Sequence, residues 1–526
     1  LTSLMPPVST RAVNLAHFVD QAARRHAERP ALAWGDTVWT WQVFSARVNA
    51  FAHALVEEFG IRKGDRILIQ SANCNQMFEA MFACFRVGAV WVPANYRGMP
   101  DELAWLAVSS GAKLMICQAA FPDHAAACAS QIGQTIVIGG ADFGNDYDAI
   151  VARHLGQSQP LANVERDDPC WFFFTSGTTG MPKAAVLTHG QMGFVVTNHL
   201  CDLMPGTTQN DASLVIAPLS HGAGVHQLGQ VARGAVTILP GSDSMDIAEI
   251  WTLVEKWRVT NMFTVPTILK MLVEDPSVSD HDHSSLRYVI YAGAPMYRAD
   301  QIKALETLGP VLVQYFGLGE VTGNITVLPP ALHETEGDLR LGTCGFARTG
   351  MQVQVQDDTG REVAPMETGE LCVCGPAVFA GYWNNPDANK KAFRDGWFRT
   401  GDLGHMDEDG FFYLTGRASD MYISGGSNIY PREIEEKILL HPDVTEVAVL
   451  GLPDEKWGEI GAAVCVCRAG TSLSAADITK WLDGKVARYK QPKRFMFWDT
   501  LPKSGYGKIT KKLVRDEIDR RDRQHT

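Results

Sequence analysis

The sequence predicts an α/β protein with largely parallel sheets, then a more antiparallel β unit, then a second and smaller α/β segment. Three observations carry this. Stretches with helical periodicity alternate with short apolar runs up to about Arg340. Gly-rich turns then separate short segments of alternating polarity, and the helix-and-strand alternation resumes near Asp420.

In chain order, residues 13–25 and 41–59 carry apolar side chains at helical spacing, while 66–70, 89–93 and 113–118 are short apolar runs that read as buried strands. Segments 352–356, 370–374 and 411–414 are the antiparallel candidates. Residues 431–440 and 475–485 then read as helices, and 446–450 and 462–467 as strands. The change of pattern places a boundary near residues 416–420. The expected organisation is a large N-terminal domain of α/β sheets plus a β-barrel-like subdomain over 1–417, and a small α+β domain over 418–526.

Composition narrows the function. The 526 residues are 46% hydrophobic and 20% charged, which excludes global disorder, and their number excludes a single small binding module. A formal charge of −12 argues against nucleic acid as a partner. The distribution is uneven: from Lys480 onward the charge is +8 and before it −20. A basic tail on an acidic body fits a polyanionic ligand or electrostatic docking, and a solvated helix accounts for it as well. Eleven scattered cysteines without a CxxC pair read as reduced thiols, and Cys372/Cys374 and Cys465/Cys467 have the period of a strand. The opening LTSLMPPVSTR lacks a secretory pattern, and no stretch has the length of a membrane span. The expectation is a cytoplasmic protein without an integral membrane segment.

The most informative segment is 173–189, FFTSGTTGMPKAAVLTH. An apolar run ends in Thr175, Ser176, Gly177, Thr178, Thr179 and Gly180, and a second apolar run follows Lys183, which reads as strand, anion-binding loop, strand. The glycines free backbone N–H groups to face an anion, the hydroxyls add donors and Lys183 adds charge. It is not a Walker A loop, because Pro182 falls where the second glycine must stand.

This segment resembles the phosphate loop of the adenylate-forming superfamily, which comprises acyl-CoA synthetases, nonribosomal-peptide adenylation domains and luciferases. Further segments are similar in the same order, from about residue 15 to 515. YAGAPM (291–296) resembles the adenine-side loop, with Gly293, Ala294 and Pro295 at the base. QYFGLGE (314–320) resembles the aromatic-Gly-x-Thr-Glu motif, implying Phe316 on adenine, Gly317 and Gly319 beside the nucleotide, and Glu320 with Thr175 at Mg²⁺. WFRTGDL (397–403) and GRASD (416–420) imply Asp402 and Arg417 at the ribose and Ser419 as hinge. LPKSGYGKITK (501–511) implies Lys508 as a mobile catalytic lysine, so that 418–526 becomes a mobile lid. A positioned ammonium suits attack of a carboxylate on an α-phosphorus already surrounded by negative charge. The sequence departs from the family at Ala184 (usually Gly), Gly319 (Thr), Phe316 (Tyr) and Ser419 (Asp or Lys).

Within the superfamily, Gly425 and Gly426 in SGGSNIYPRE imply passage of the pantetheine arm of CoA, and PLSHGAG (218–224) puts His221 between the acyl and thiol sites. A histidine in such a loop is equally read as a packed, hydrogen-bonded residue. The resemblance implies an AMP-forming carboxylic acid–CoA ligase using ATP, Mg²⁺, CoA and a small-molecule carboxylic acid, with a homodimer left open. The acyl pocket would involve His221, Gly222, Val225, His226, Met296 and Leu318. Small residues leave volume, which leans toward a medium- or long-chain fatty acid, with an aryl or substituted short-chain acid as the alternative. A carrier-protein-loading adenylation domain and an inactive ATP-binding homologue are the remaining rivals.

Overall fold

The computed structural model describes residues 9–140, 142–175, 181–242, 245–294, 296, 298–333, 342–424, 427–503 and 509–524, without the side chain of Asn428. Five layers build residues up to Arg417. One sheet runs in the order Asn145–Asp146, Thr135–Ile138, Leu114–Gln118, Arg66–Gln70, Val90–Pro93, Pro169–Thr175, Lys183–Thr188. All its pairs are parallel except the last. A second, larger sheet has a parallel half from Pro30–Trp34 to Leu312–Phe316. Thr326–Leu328, Thr343–Ala347, Phe411–Arg417, Trp397–Met406, Gly369–Cys374 and Gln352–Gln356 extend it as an antiparallel ladder. The predicted antiparallel unit is therefore continuous with the parallel sheet.

Helices Trp41–Glu57, Asn75–Val87, His189–Asn198 and Gly222–Arg233 lie between the two sheets, and their buried faces join both in the main core. Phe44, Phe51, Phe78 and Phe82 are all but inaccessible there, with the Phe44 and Phe78 rings 5.4 Å apart. Each such ring contributes about 3–5 kcal/mol against truncation to alanine. Helices Ile247–Trp257, Pro266–Glu274 and Arg298–Leu308 cover the outer face of the larger sheet, and Pro100–Ser110 and Pro122–Cys128 that of the smaller. Chemistry at the ends sets the element bounds. The first helix is His17–His26 rather than 13–25, because the Asn14 side chain accepts the Ala16 N–H and turns the chain before it. Thr188 and Gln191 form a capping box on His189–Asn198.

After Arg417 the chain changes sheets. A turn at 418–420, with exposed Ser419, leads into Tyr422–Ser424, part of a five-stranded sheet with Ser427–Ile429, Val444–Asp454, Gly458–Cys467 and Arg494–Phe497. Helices Pro431–Leu439 and Ala475–Leu482 pack one face, and Lys511–Gln524 the other. All eleven cysteines are free thiols. Among the described residues no helix is long and apolar enough to cross a membrane.

Candidate functional site

The site lies where strand Pro169–Thr175 of one sheet and strand Leu312–Phe316 of the other end side by side. In α/β proteins ligands gather beyond such carboxyl ends. Pro169–Thr175 pairs antiparallel with Lys183–Thr188, bringing Thr175 opposite Lys183. Ser176, Gly177, Thr178, Thr179 and Gly180 lie outside the described residues. Ala184 belongs to the strand, not the loop: it pairs with Phe174 and its methyl is buried in the core. Residues 380–383 add to this edge, through Ala380 N–H to Val186 O (3.0 Å), Val186 N–H to Gly381 O (2.9 Å) and Trp383 N–H to Ala184 O (2.9 Å).

That pairing delivers Tyr382 into the site. Its ring lies under the Lys183 ammonium, 4.3 Å from Nζ to the ring centroid, and its hydroxyl donates to Glu320 Oε1 at 2.7 Å. Thr175 Oγ1 donates to the same oxygen at 3.0 Å. Glu320 stands on the turn Gly319–Val321 with only 5% of its surface exposed, and its Oε2 has no hydrogen-bond partner among the described residues. Two donors on one oxygen leave the other directed by geometry and available to a hard cation or a further donor. A Cβ on Gly319 would stand 2.6 Å from Phe173 Cδ1 and 3.0 Å from Thr175 Cγ2, so the Phe173 ring fills the space a larger side chain would need. Gly317 and Gly323 (φ +76°) cross in contact, with no room for a Cβ on Gly317.

The second carboxylate is Asp402. It pairs across the ladder with Arg417, whose Nε is 3.2 Å from Oδ1. Its other oxygen, Oδ2, is buried without a hydrogen-bond partner. Burial raises its pKa to about 6, against the opposing pull of Arg417 and of Arg432 on helix Pro431–Leu439. A buried acceptor left open beside a half-exposed guanidinium is suited to receive hydroxyl donors.

Around the first turn of helix Gly222–Arg233, His221 takes the N-cap position, with Ser220 Oγ 2.9 Å from Nδ1 and the Phe173 ring edge-to-face at 5.0 Å. At Gly222 and Gly224 the space a side chain would take is already filled by neighbouring atoms. A Cβ on Gly222 would stand 2.8 Å from Phe263 Cζ and 3.5 Å from the Tyr315 hydroxyl, and one on Gly224 would strike Leu219 O. Phe263 and Tyr315 stack at 5.9 Å and 17°. Val225 and His226 are buried in the main core and Leu318 packs against it, whereas Met296 packs against the core on the outer face of the larger sheet.

Gly293 (φ +83°) is exposed at the end of strand Tyr288–Tyr291, Ala294 is partly buried, and Phe316 packs partly against the main core. Pro295, Gly425, Gly426 and Lys508 lie outside the described residues. The sequence motifs give no role to Tyr382, Tyr315, Phe263 or Arg348, although Tyr315 falls within QYFGLGE. For Tyr382 the available signal is GYW after the antiparallel segment, and for Arg348 it is a lone charge in the run CGFARTGM.

Residues 19–383 match the family described as AMP-binding enzyme, and residues 433–508 match the AMP-binding enzyme C-terminal domain. A feruloyl-CoA synthase of Amycolatopsis sp is 36% identical over 507 residues, 96% of this chain and 99% of that protein. A long-chain-fatty-acid–CoA ligase of Mycobacterium tuberculosis is 33% identical over 484 residues, 92% and 93% of the two chains. The solved structure of o-succinylbenzoate CoA synthetase from Bacillus subtilis with its acyl-adenylate intermediate superposes with a TM-score of 0.84 at 29% identity. It covers 95% of this chain and 97% of that one. With the family matched over both segments and CoA ligases aligned over nearly the whole length, the chain belongs to the AMP-binding enzymes of the adenylate-forming superfamily, as an acid–CoA ligase of the acyl-CoA synthetase type.

Proposed function

We propose that this AMP-forming ligase activates a carboxylic acid bearing an aromatic ring. The observation that carries the reading is the Phe263–Tyr315 stack facing Gly222 one residue beyond His221. The Phe263 ring edge and the Tyr315 hydroxyl close against Gly222, and aromatic side chains at this end of the acyl site suit a planar ring better than a flexible chain. The feruloyl-CoA synthase and an indoleacetate–CoA ligase of Aromatoleum aromaticum, 31% identical over 97% of this chain, support it by name. A medium- or long-chain fatty acid is the second reading, favoured by the mycobacterial relative.

In the proposed sequence a carboxylate oxygen of the acid attacks the α-phosphorus of ATP, forming the acyl–phosphate bond of acyl-AMP as the bond to pyrophosphate breaks. The thiol of CoA then attacks the acyl carbon, losing its proton, and AMP leaves with the bond electrons. Asp402 and Arg417 hold the ribose, Phe316 and residues 293–295 the adenine, and residues 175–180 with Lys183 the phosphates. The open Oε2 of Glu320 fits a magnesium ion carried in with ATP, which supplies neutralisation of phosphate charge when bound. Lys508 serves the first step. The small domain, 418–526, then turns about Ser419 and brings Gly425 and Gly426 to the pantetheine arm. The three-residue turn 418–420 between the sheets can absorb such a change in backbone angles.

Pyrophosphate release by the purified enzyme with ATP, Mg²⁺ and a panel of aryl and aliphatic acids, each with and without CoA, tests this reading. CoA-dependent turnover of aryl acids is the expected result. Turnover of aliphatic acids only would sink it.

A further inference from the structure

Residues 71–74 follow strand Arg66–Gln70 at the carboxyl end of the smaller sheet, and residues 216–221 leave strand Ala212–Val215 at the same end of the larger one. One side chain joins them. Asn73 Oδ1 accepts the Leu219 N–H at 2.8 Å and Asn73 Nδ2 donates to Ala217 O at 2.9 Å. The amide thus takes both backbone groups that flank Pro218, as a neighbouring strand would. One partner can only donate and the other only accept, which fixes the orientation of the amide.

This bridge stands on a fixed foot. The Ala72 N–H is held by Gln118 Oε1 at 3.1 Å, and Cys74 caps helix Asn75–Val87 by accepting the Met77 N–H at 3.4 Å. At its other end, Leu219 O sits where a Cβ on Gly224 would be, so helix Gly222–Arg233 confines the same residue. Ser220 is buried, and its hydroxyl lies 2.9 Å from His221 Nδ1. The segment that Asn73 grips therefore passes its position to the imidazole. His221 is the N-cap residue of helix Gly222–Arg233, yet its side chain does not cap that helix, a task for which Ser, Thr, Asn or Asp is the ordinary choice. The imidazole instead meets the Phe173 ring edge-to-face at 5.0 Å, and that ring fills the space at Gly319, next to Glu320.

We propose that Asn73 is a positioning residue for the ligase reaction: by pinning residues 217 and 219 across the two sheets it sets where the His221 imidazole stands, and it acts on the reacting acyl group through that imidazole. The inference rests on the two-step reading above, with His221 at the acyl site. It does not depend on which acid is taken.

The test is a double-mutant cycle on the full chain, read in each half-reaction with the acid of the panel above that turns over fastest: pyrophosphate release without CoA, and conversion of the synthetic acyl-AMP to thioester with CoA. Whichever half-reaction His221→Ala slows, Asn73→Ala should slow the same one, by about 10- to 100-fold, the scale of a displaced reacting group. The double variant should match the slower single one within about twofold. Asn73→Asp separates placement from general damage. Its ionised carboxylate has no hydrogen to give Ala217 O, whereas its protonated form reproduces the donor and acceptor of the amide. Relative to wild type at the same pH, its rate in that half-reaction should rise severalfold as pH falls from about 8 to about 5.5, and this keeps the test open if Asn73→Ala fails to fold. Losses that multiply in the double variant overturn the inference, as does an Asn73→Ala effect confined to the half-reaction that His221→Ala spares. A wild-type rate in both half-reactions for His221→Ala also overturns it and leaves the ligase reading standing. Silence of the wild type across the panel overturns the two-step reading, and this inference with it.

Discussion

Glu320 and Asp402 are carboxylates of nearly equal burial, 5% and 7% exposed, and the protein treats them in opposite ways. Glu320 receives two hydroxyl donors on one oxygen, from Thr175 and Tyr382, which belong to different segments and hold it from two sides. Asp402 receives one guanidinium on Oδ1 and nothing on Oδ2. The first is fixed in position before any ligand arrives. The second is left unsatisfied, and the cost registers as a raised pKa. The difference teaches that burial by itself does not decide how a carboxylate behaves; the donors that accompany it do.

The largest effect expected from this contrast is at Asp402. Asp402→Asn should lower kcat/KM for ATP about 10- to 100-fold, the equivalent of one charge-assisted hydrogen bond of about 1.5–3 kcal/mol. The wild-type value should also fall as pH drops through about 6, because the carboxylate then takes up a proton, and the variant should lack that decline. The stability effect has the opposite sign. A folded pKa raised from 3.8 to about 6 means the folded state bears a charge that the unfolded chain bears more easily at higher pH. Asp402→Asn should therefore melt higher than wild type at pH 8, with the advantage shrinking as pH falls through 6 toward 4. A wild-type profile flat from pH 5 to 8 would break the comparison.

Tyr382→Phe sharpens the other arm. It removes the hydroxyl donated to Glu320 but keeps the ring beneath Lys183, so the loss isolates the hydrogen bond from the cation–π contact. Pyrophosphate release should slow about tenfold, near the lower end for a hydrogen bond to a charged group. The break near pH 6 should stay where it is. The charge on Glu320 is among the causes that raise the Asp402 pKa, so a break that moves in Tyr382→Phe would mean that the tyrosine governs that charge and not only the position of Glu320, and the contrast drawn here would be wrong.

How much of this was legible in the sequence follows from range. The strands on either side of residues 176–180, the pairing of a WFRTGDL strand with GRASD and the change of sheet after Arg417 rest on local pattern, and the alternation of apolar runs exposes them. Glu320 and Asp402 stand in compact motifs. Tyr382, Arg348 and the Phe263–Tyr315 stack arise from contacts between residues far apart in the chain: 62 positions separate Tyr382 from Glu320. No periodicity in a single sequence marks such a meeting. The neighbours of the pocket glycines are hidden in the sequence for the same reason. A glycine leaves volume only if nothing distant fills it, and at Gly222 two distant rings do.

Gly319 gives the smallest expected effect on catalysis. The resemblance places a threonine there, and the chain has a glycine because the Phe173 ring stands 2.6 Å from where its Cβ would be. Gly319→Thr forces that ring aside, at about 1–3 kcal/mol of overpacking, and the ring is also the edge-to-face neighbour of His221 at 5.0 Å. The single variant should melt lower and lose a few-fold in rate. Phe173→Ala leaves a cavity and should destabilise on its own account. Together the two changes should cost less than their sum, with a coupling of about 0.5–3 kcal/mol, because the threonine then occupies the space the ring vacates. Additive melting shifts would mean that ring and glycine are independent, and that the departure at 319 has no cause in its neighbour.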